Sequence, residues 1–213
     1  EKEVDELFFF DISTGKKQQS INFNLIADIA SEAFMPLGYG GGIKDIYQIE
    51  QLFKIGIEKV AINTAAFFDQ NFIKDAVKVA GSQSIVIPID VRKTFLGKYE
   101  VYVNNGQKNT KLDPVVYAKK MEDCGAGELI VCSIDREGTD KGYDLKLLEL
   151  VSKAVDIPVI GLGGASSLLN MVEAKNKTSL SGLAAGNLFV YYGKNRAVLM
   201  TYPKSNELKK LFN

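Results

Sequence analysis

Seven short apolar runs recur along the chain, and most are followed by a stretch with helical spacing. The runs are ELFFFDI (6–12), MPLGYGG (35–41), KVAINT (59–64), SIVIPIDV (84–91), ELIVCSID (128–135), IPVIGLGG (157–164) and SGLAAGN (181–187). Helical periodicity marks NFNLIADIASEAF, DIYQIEQLFKIG, DQNFIKDAVKVAG, PVVYAKKMEDCG, DLKLLELVSKAV, SLLNMVEAK and SNELKKLF. The strand candidates are continuously apolar, the pattern of a parallel sheet covered on both faces. One segment departs from it. KYEVYVNNGQKNT (98–110) alternates and contains Asn-Asn-Gly, which predicts a small β-hairpin inserted after the fourth strand.

An internal repeat organises the seven strands. FFDIS resembles CSIDR, with Asp11 and Asp135 124 residues apart. YGGGI resembles GLGGA and VAINTAA resembles GLAAGNL, with Gly42 to Gly164 and Thr64 to Gly186 both 122 apart. Strands one, two and three therefore pair with five, six and seven. The fourth has no partner, and its partner would lie upstream of Glu1. The predicted fold is an α/β (β/α)8 TIM barrel with a half-barrel repeat, its first strand and helix missing from this chain. Residues 1–213 are expected to form one phosphate-binding barrel domain, incomplete at the N-terminus.

Composition narrows the chemistry. The formal net charge is zero, so no broad basic surface points to nucleic acid. No apolar run reaches the length of a membrane span, and no signal peptide opens the chain, so a cytoplasmic location is expected. Cys124 and Cys132 fit no metal or redox spacing and read as buried reduced thiols; no metal or cofactor is expected. There is no histidine, which removes the usual general base.

In a β/α barrel the active site lies at the carboxyl ends of the strands. Gly40 to Gly42 end one strand there, and glycine lets backbone N–H groups approach an anion closely. Asn63 and Thr64 end the next strand. Gly163, Gly164, Ala185 and Gly186 repeat the device in the second half. Two matched anion sites suggest a ligand with a phosphate at each end; tight βα turns alone are the plainer alternative. Asp11, Asp90 and Asp135 stand at strand ends between these sites. Aspartate is then the natural acid or base, against a plainer role as a loop acceptor. Asp90 is the foremost catalytic candidate because its strand is otherwise apolar. At the opposite end Glu6, Lys59 and Glu128 begin alternate strands and can share one layer of the barrel. Spacing alone favours a solvated rim.

Across its length the chain resembles the HisF family, the cyclase subunits of imidazole glycerol phosphate synthase. The likeness is carried by DELFFFDI, MPLGYGGGIKD, KVAINTAA, GSQSIVIPIDV, GAGELIVCSIDREGTDKGYD and IPVIGLGGAS. The resemblance implies a lyase-type cyclase in histidine biosynthesis, paired with a HisH-type glutaminase as a heterodimer. Such an enzyme uses ammonia on a bisphosphorylated ribulosyl formimino aminoimidazole carboxamide ribotide, giving imidazole glycerol phosphate and AICAR. It implies that Asp90 is the second catalytic aspartate. Gly42, Asn63 and Thr64 would hold one phosphate, and Gly138, Gly164, Ala185 and Gly186 the other. It turns Glu6, Lys59 and Glu128 into a charged gate for ammonia. The first catalytic aspartate and the gate's arginine would lie on the missing strand, so this chain alone is expected to be inactive.

Some positions depart from the family pattern. Glu137 stands where an aspartate is usual, and Gly186 where a serine is usual. EAKNKTSLSGLAAG lacks the usual small-residue turn before the last strand. The tail YYGKNRAVLMTYPKSNELKKLF resembles HisF-like paralogues found with surface-polysaccharide genes. That likeness implies an alternative: an ammonia-channelling subunit for acetamidino-sugar formation, with weak or no cyclase activity. A non-catalytic phosphate-ligand barrel is a third reading.

Overall fold

In the computed structural model, which describes residues 4–13, 20–192 and 197–212, the apolar runs become strands and the periodic stretches helices. The chain order is β1 (Leu7–Phe10), α1 (Phe23–Glu32), β2 (Leu37–Gly40), α2 (Ile46–Lys54), β3 (Lys59–Ala61), α3 (Thr64–Phe68) and α4 (Gln70–Ala80). Then come β4 (Ile85–Lys93), β5 (Tyr99–Val103), β6 (Lys108–Asn109), α5 (Pro114–Asp123), β7 (Glu128–Ser133), α6 (Leu145–Ser152) and β8 (Val159–Leu162). The last are α7 (Leu168–Lys177), β9 (Gly182–Leu183), α8 (Asn187–Val190), β10 (Tyr191–Tyr192), β11 (Ala197–Val198) and α9 (Ser205–Phe212).

Seven strands pair in parallel in the order β1-β2-β3-β4-β7-β8-β9. Along β4, Ile85, Ile87, Ile89 and Val91 point outward into the layer shared with the helices. Val86 points inward, into a second cluster with Ala61, Ile130, Phe8, Ile160 and Leu162. Both faces of the strand are covered, which is why its sequence reads as apolar without a break.

The sheet is strongly curled. Lys59 Nζ lies 2.9 Å from a carboxylate oxygen of Glu6, beside β1, and 2.9 Å from one of Glu128, on β7. In a flat sheet these two strands would stand about 19 Å apart, four strand spacings. One ammonium can bridge them only when the strands wrap round a common axis. The fold is that of seven strands of a (β/α)8 barrel.

The half-barrel repeat is visible in the helix caps. Asn22 accepts from the N–H of Leu25 and Asp144 from that of Leu147. Asp45 accepts from Gln48 N–H and Ser167 from Asn170 N–H. The side chains of Gln48 and Asn170 in turn accept from the N–H of Lys44 and Ser166. Each pair is separated by 122 positions, so both halves start these helices with the same cap bonds, reciprocal at α2 and α7. Gly41–Gly42 and Gly163–Gly164, also 122 apart, all have positive φ.

Three details differ from the sequence expectation. The third strand stops at Ala61; Ile62 makes one further ladder bond to Val86 O, and Asn63 then turns and caps α3. The last parallel strand shrinks to Gly182–Leu183, because a run of glycine and alanine offers little side-chain surface to hold a ladder. The inserted hairpin is present, and β4 runs long to meet it. Asp90 to Lys93 pair antiparallel with Tyr102 to Tyr99, above the point where β3 ends.

Candidate active site

The mouth at the carboxyl ends of the strands gathers most of the residues singled out from the sequence. Asp90 sits on the inward side of β4, where alternation with the outward Ile89 and Val91 places it. Asn63, at the end of β3, donates through Nδ2 to Asp90 Oδ2 at 3.0 Å and to Pro88 O at 3.2 Å. Burial pushes the Asp90 carboxyl up to about 6, partly offset by that amide bond. A carboxyl titrating there can hold or release a proton near neutral pH, as general acid–base work requires. Asn63 Oδ1 is buried and lacks a hydrogen-bond partner among the described residues.

Cys132 was expected only as a buried thiol. It is buried at 8% exposure and is the ladder partner of Asp90 across β4 and β7. Burial first, then the charges of Asp90 and Glu137, hold its thiol well above the ordinary range. Glu128, Ile130 and Cys132 share one face of β7, so strand alternation was the available signal.

The first glycine loop follows β2, and Asn63 and Thr64 follow the adjacent β3. The Asn63 amide is turned to Asp90. The Thr64 hydroxyl oxygen accepts from the N–H of Asn104, at the hairpin tip, at 3.1 Å. A hydroxyl that accepts from the hairpin keeps its own proton for another acceptor. The hairpin therefore leans over this side of the mouth.

The second set comes together around a pocket lined by Glu137, Gly138, Gly164, Ala185, Gly186 and Asn187, among others. Gly164 has a φ of +95°, and a Cβ there would come within 2.4 Å of Gly142 O. Glycine is required by both conformation and space. Gly138 lies opposite the amide of Asn187.

Asp11 and Asp135 are engaged at the rim. Asp11 accepts from the N–H and hydroxyl of Ser13 and, at 3.4 Å, from the hydroxyl of Tyr39. Asp135 accepts from Lys93 N–H at 2.8 Å and lies 4.0 Å from the Arg92 guanidinium. Asp11 thus closes the turn after its strand, and Asp135 ties the end of β7 to the long β4.

At the opposite end, Glu6, Lys59 and Glu128 meet as one trio. Burial draws the Lys59 pKa down, but its bonds to Glu128 and Glu6 outweigh this and the net shift is upward. Glu6 Oε1 and Glu128 Oε1 are buried without a hydrogen-bond partner among the described residues. Among those residues, no helix is long and apolar enough to cross a membrane.

Comparison with known proteins agrees with this architecture. The histidine biosynthesis protein family matches residues 1–196. A Pseudomonas aeruginosa protein, provisionally named imidazole glycerol phosphate synthase subunit hisF2, is 46% identical over 208 residues; these cover 98% of this chain and 83% of that one. A Leptospira borgpetersenii protein, provisionally named subunit HisF of the same synthase, is 40% identical over 213 residues, 100% of this chain and 84% of the relative. The imidazole glycerol phosphate synthase subunit HisF of a Hydrogenobaculum species is 38% identical over 208 residues, 98% and 82% of the two chains. By these matches, and by seven parallel strands with paired glycine loops at one mouth, the chain belongs to the histidine biosynthesis protein family, on its HisF branch.

Proposed function

We propose that the protein is the cyclase subunit of an imidazole glycerol phosphate synthase. It would use ammonia to close an imidazole ring on a bisphosphorylated ribotide and release AICAR, a lyase-type reaction of cytoplasmic histidine biosynthesis. The carrying observation is Asp90: an inward carboxyl in the carboxyl-terminal half of β4, titrating near 6, held by Asn63 at the mouth that carries the two glycine loops. In this role Asp90 passes a proton to or from the ligand atoms at the mouth. Gly42 and Thr64 grip one phosphate, with Asn63 beside them orienting Asp90. Gly138, Gly164, Ala185 and Gly186 line the seat for the other. A second aspartate, on a strand preceding Glu6 in the barrel order, would complete the acid–base pair. A HisH-type glutaminase would dock at the lower end and feed ammonia past Glu6, Lys59 and Glu128. The two unpartnered glutamate oxygens there suit a further cation, as a gate arginine would supply.

The full-length protein tests this. Asp90→Asn should lower ammonia-dependent turnover by at least about a hundredfold, the scale of a lost general acid–base group, while bisphosphate ligand binding stays nearly intact. Equal loss of binding and turnover would assign Asp90 a structural role.

One pair of features favours a second reading. Gly186 offers backbone N–H in place of a hydroxyl, and Glu137 puts into the second loop a carboxylate one methylene longer than the usual aspartate. Both weaken a site for a second phosphate. They suit a subunit that delivers ammonia for acetamidino-sugar formation and has lost part of its cyclase strength. In that case Asp90→Asn would leave ammonia delivery to the amidating partner unchanged.

A further inference from the structure

β4 runs on past the point where β3 ends, and its last inward residues are Asp90 and, one step nearer the solvent, Arg92. Tyr102 and Glu100 are their ladder partners on β5, so all four share one face. The Arg92 guanidinium lies over the Tyr102 ring, 5.2 Å from its centroid. That ring is itself fixed. Asn109 Nδ2 donates to the Tyr102 hydroxyl oxygen at 3.1 Å and to Glu100 Oε2 at 2.6 Å. Arg92 Nε stands 4.0 Å from Asp135 Oδ1, while Asp135 Oδ2 is taken by the N–H of Lys93. Arg92 Nη2 reaches the hairpin tip, 4.0 Å from where a Cβ on residue 106 would sit. Among the described residues the guanidinium donates no hydrogen bond. Two neighbouring cations are placed differently. Lys93 points to the outer face, over the Tyr99 ring, and Arg136 spends Nη1 on the carbonyls of Lys141 and Gly142.

We propose that Arg92 is a ligand-binding residue of this mouth, a mounted cation that meets a phosphate oxygen of the ligand. The inference rests on the proposal that the ligand carries phosphate, and it names a contact of a kind the glycine loops do not make. Those loops, with Asn63 and Thr64, offer neutral donors only. A phosphate monoester carries between one and two negative charges near neutral pH, and hydrogen bonds from a cation to it are shorter and stronger than neutral ones. Arginine suits the task because its planar fork can give two parallel N–H groups to two phosphate oxygens and stays charged throughout. Stacking on Tyr102 sets the plane of that fork before a ligand arrives, so less side-chain freedom is lost on binding. Asp135 steers the group without tying it down. A pair 4.0 Å apart with both side chains nearly half exposed is weak, so a phosphate can claim the guanidinium cheaply. The hairpin gains a purpose from this arrangement. Its tip holds the Thr64 hydroxyl through Asn104, and β5 carries the ring beneath Arg92, so one insertion braces a neutral and a charged contact together.

The test uses the full-length protein, labelled with nitrogen-15 and titrated with inorganic phosphate. The Nε–H signal of Arg92 reports the guanidinium, and the amide signals of Gly42 and Gly164 report the two loops. In the parent, the Arg92 signal should move with phosphate and share its midpoint with at least one loop. Arg92→Gln should weaken phosphate binding there at least about fivefold and leave the urea midpoint unchanged, since the side chain is exposed. Arg92→Lys, which keeps the charge but not the fork, should recover only part of the loss. Tyr102→Leu should weaken binding less than Arg92→Gln does. An Arg92→Gln protein whose loops bind phosphate as tightly as the parent overturns this inference and leaves the loops as phosphate sites. A parent Arg92 signal that stays still while the loops respond overturns the direct contact. Absence of any response at Arg92 and at both loops overturns the phosphate reading of the mouth and this inference with it.

Discussion

Asp90 ionises near 3.8 as a free side chain and near 6 in the folded protein, chiefly because burial disfavours its charge. Between those values the folded state holds a proton that the unfolded state has lost. Stability therefore falls as pH rises through that window, and the cost is complete above it. Its size is about 3 kcal/mol. Asp90→Asn removes the cost while its carbonyl can still accept from Asn63. In urea denaturation at about pH 7.5 the variant should be more stable than the parent by about 2–3 kcal/mol, and near pH 3.5 the two should match. A variant less stable at neutral pH would show that Asp90 is held by an unrecognised partner. The same residue shows how much of the site could be read from the chain. A lone carboxylate in an apolar strand announces itself. Its tie to Asn63 does not, because that bond joins positions 27 residues apart and depends on Asn63 turning inward where the ladder ends. Glu137 was visible as an unusual residue, but its reach towards Gly186 requires two loops, after β7 and β9, that only the assembled parallel sheet brings together.

Among the elements, β1 and β2 show how the inside of the barrel is filled. Phe8 pairs in register with Gly38, and Phe10 with Gly40. The two rings stack at 5.7 Å. A Cβ on residue 38 would fall 2.4 Å from the Phe8 ring, so one strand supplies bulk and its neighbour supplies none. Gly38→Ala should destabilise the protein by about 1–3 kcal/mol, the range for an overpacked core. Combining it with Phe8→Leu should recover part of that loss in a double-mutant cycle by chemical denaturation. Strict additivity would mean that the ring simply swings aside. The strands themselves were legible because continuous apolar runs have few other uses in a chain of this kind. The helix starting at Thr64 was not: its sequence TAAFF carries neither a clear period nor a side-chain cap bond. The hairpin was legible from Asn-Asn-Gly, and Asn104, Asn105 and Gly106 do take positive φ. Its docking on Thr64 was not, since nothing local encodes a contact across 40 positions.

Over the whole molecule, the trio at the lower end joins strands that are distant in the ladder order. Lys59→Met would leave two carboxylates facing each other without their cation. Because the groups keep up to 25% side-chain exposure, the expected loss is about 2 kcal/mol, below the figure for a fully buried pair. Lys59→Arg should retain most of the stability. A loss under about 0.5 kcal/mol for Lys59→Met would identify the trio as a solvated rim. The raised Lys59 pKa means that this contribution is complete at neutral pH and fades only as pH climbs through the folded value. The repeat was legible at this scale because matched spacing survives in sequence. The curl was legible only by inference from it, since no single residue states how far a sheet bends. Lys59 supplies that statement in chemical form. With its ammonium clasped between β1 and β7, its amine is shielded from acylating reagents for as long as the strands stay wrapped. Lysines on the outer helices have no such shelter. A brief pulse of amine-reactive label, read by mass on the peptide around Lys59, would therefore time the uncurling of the sheet separately from the fraying of its helices.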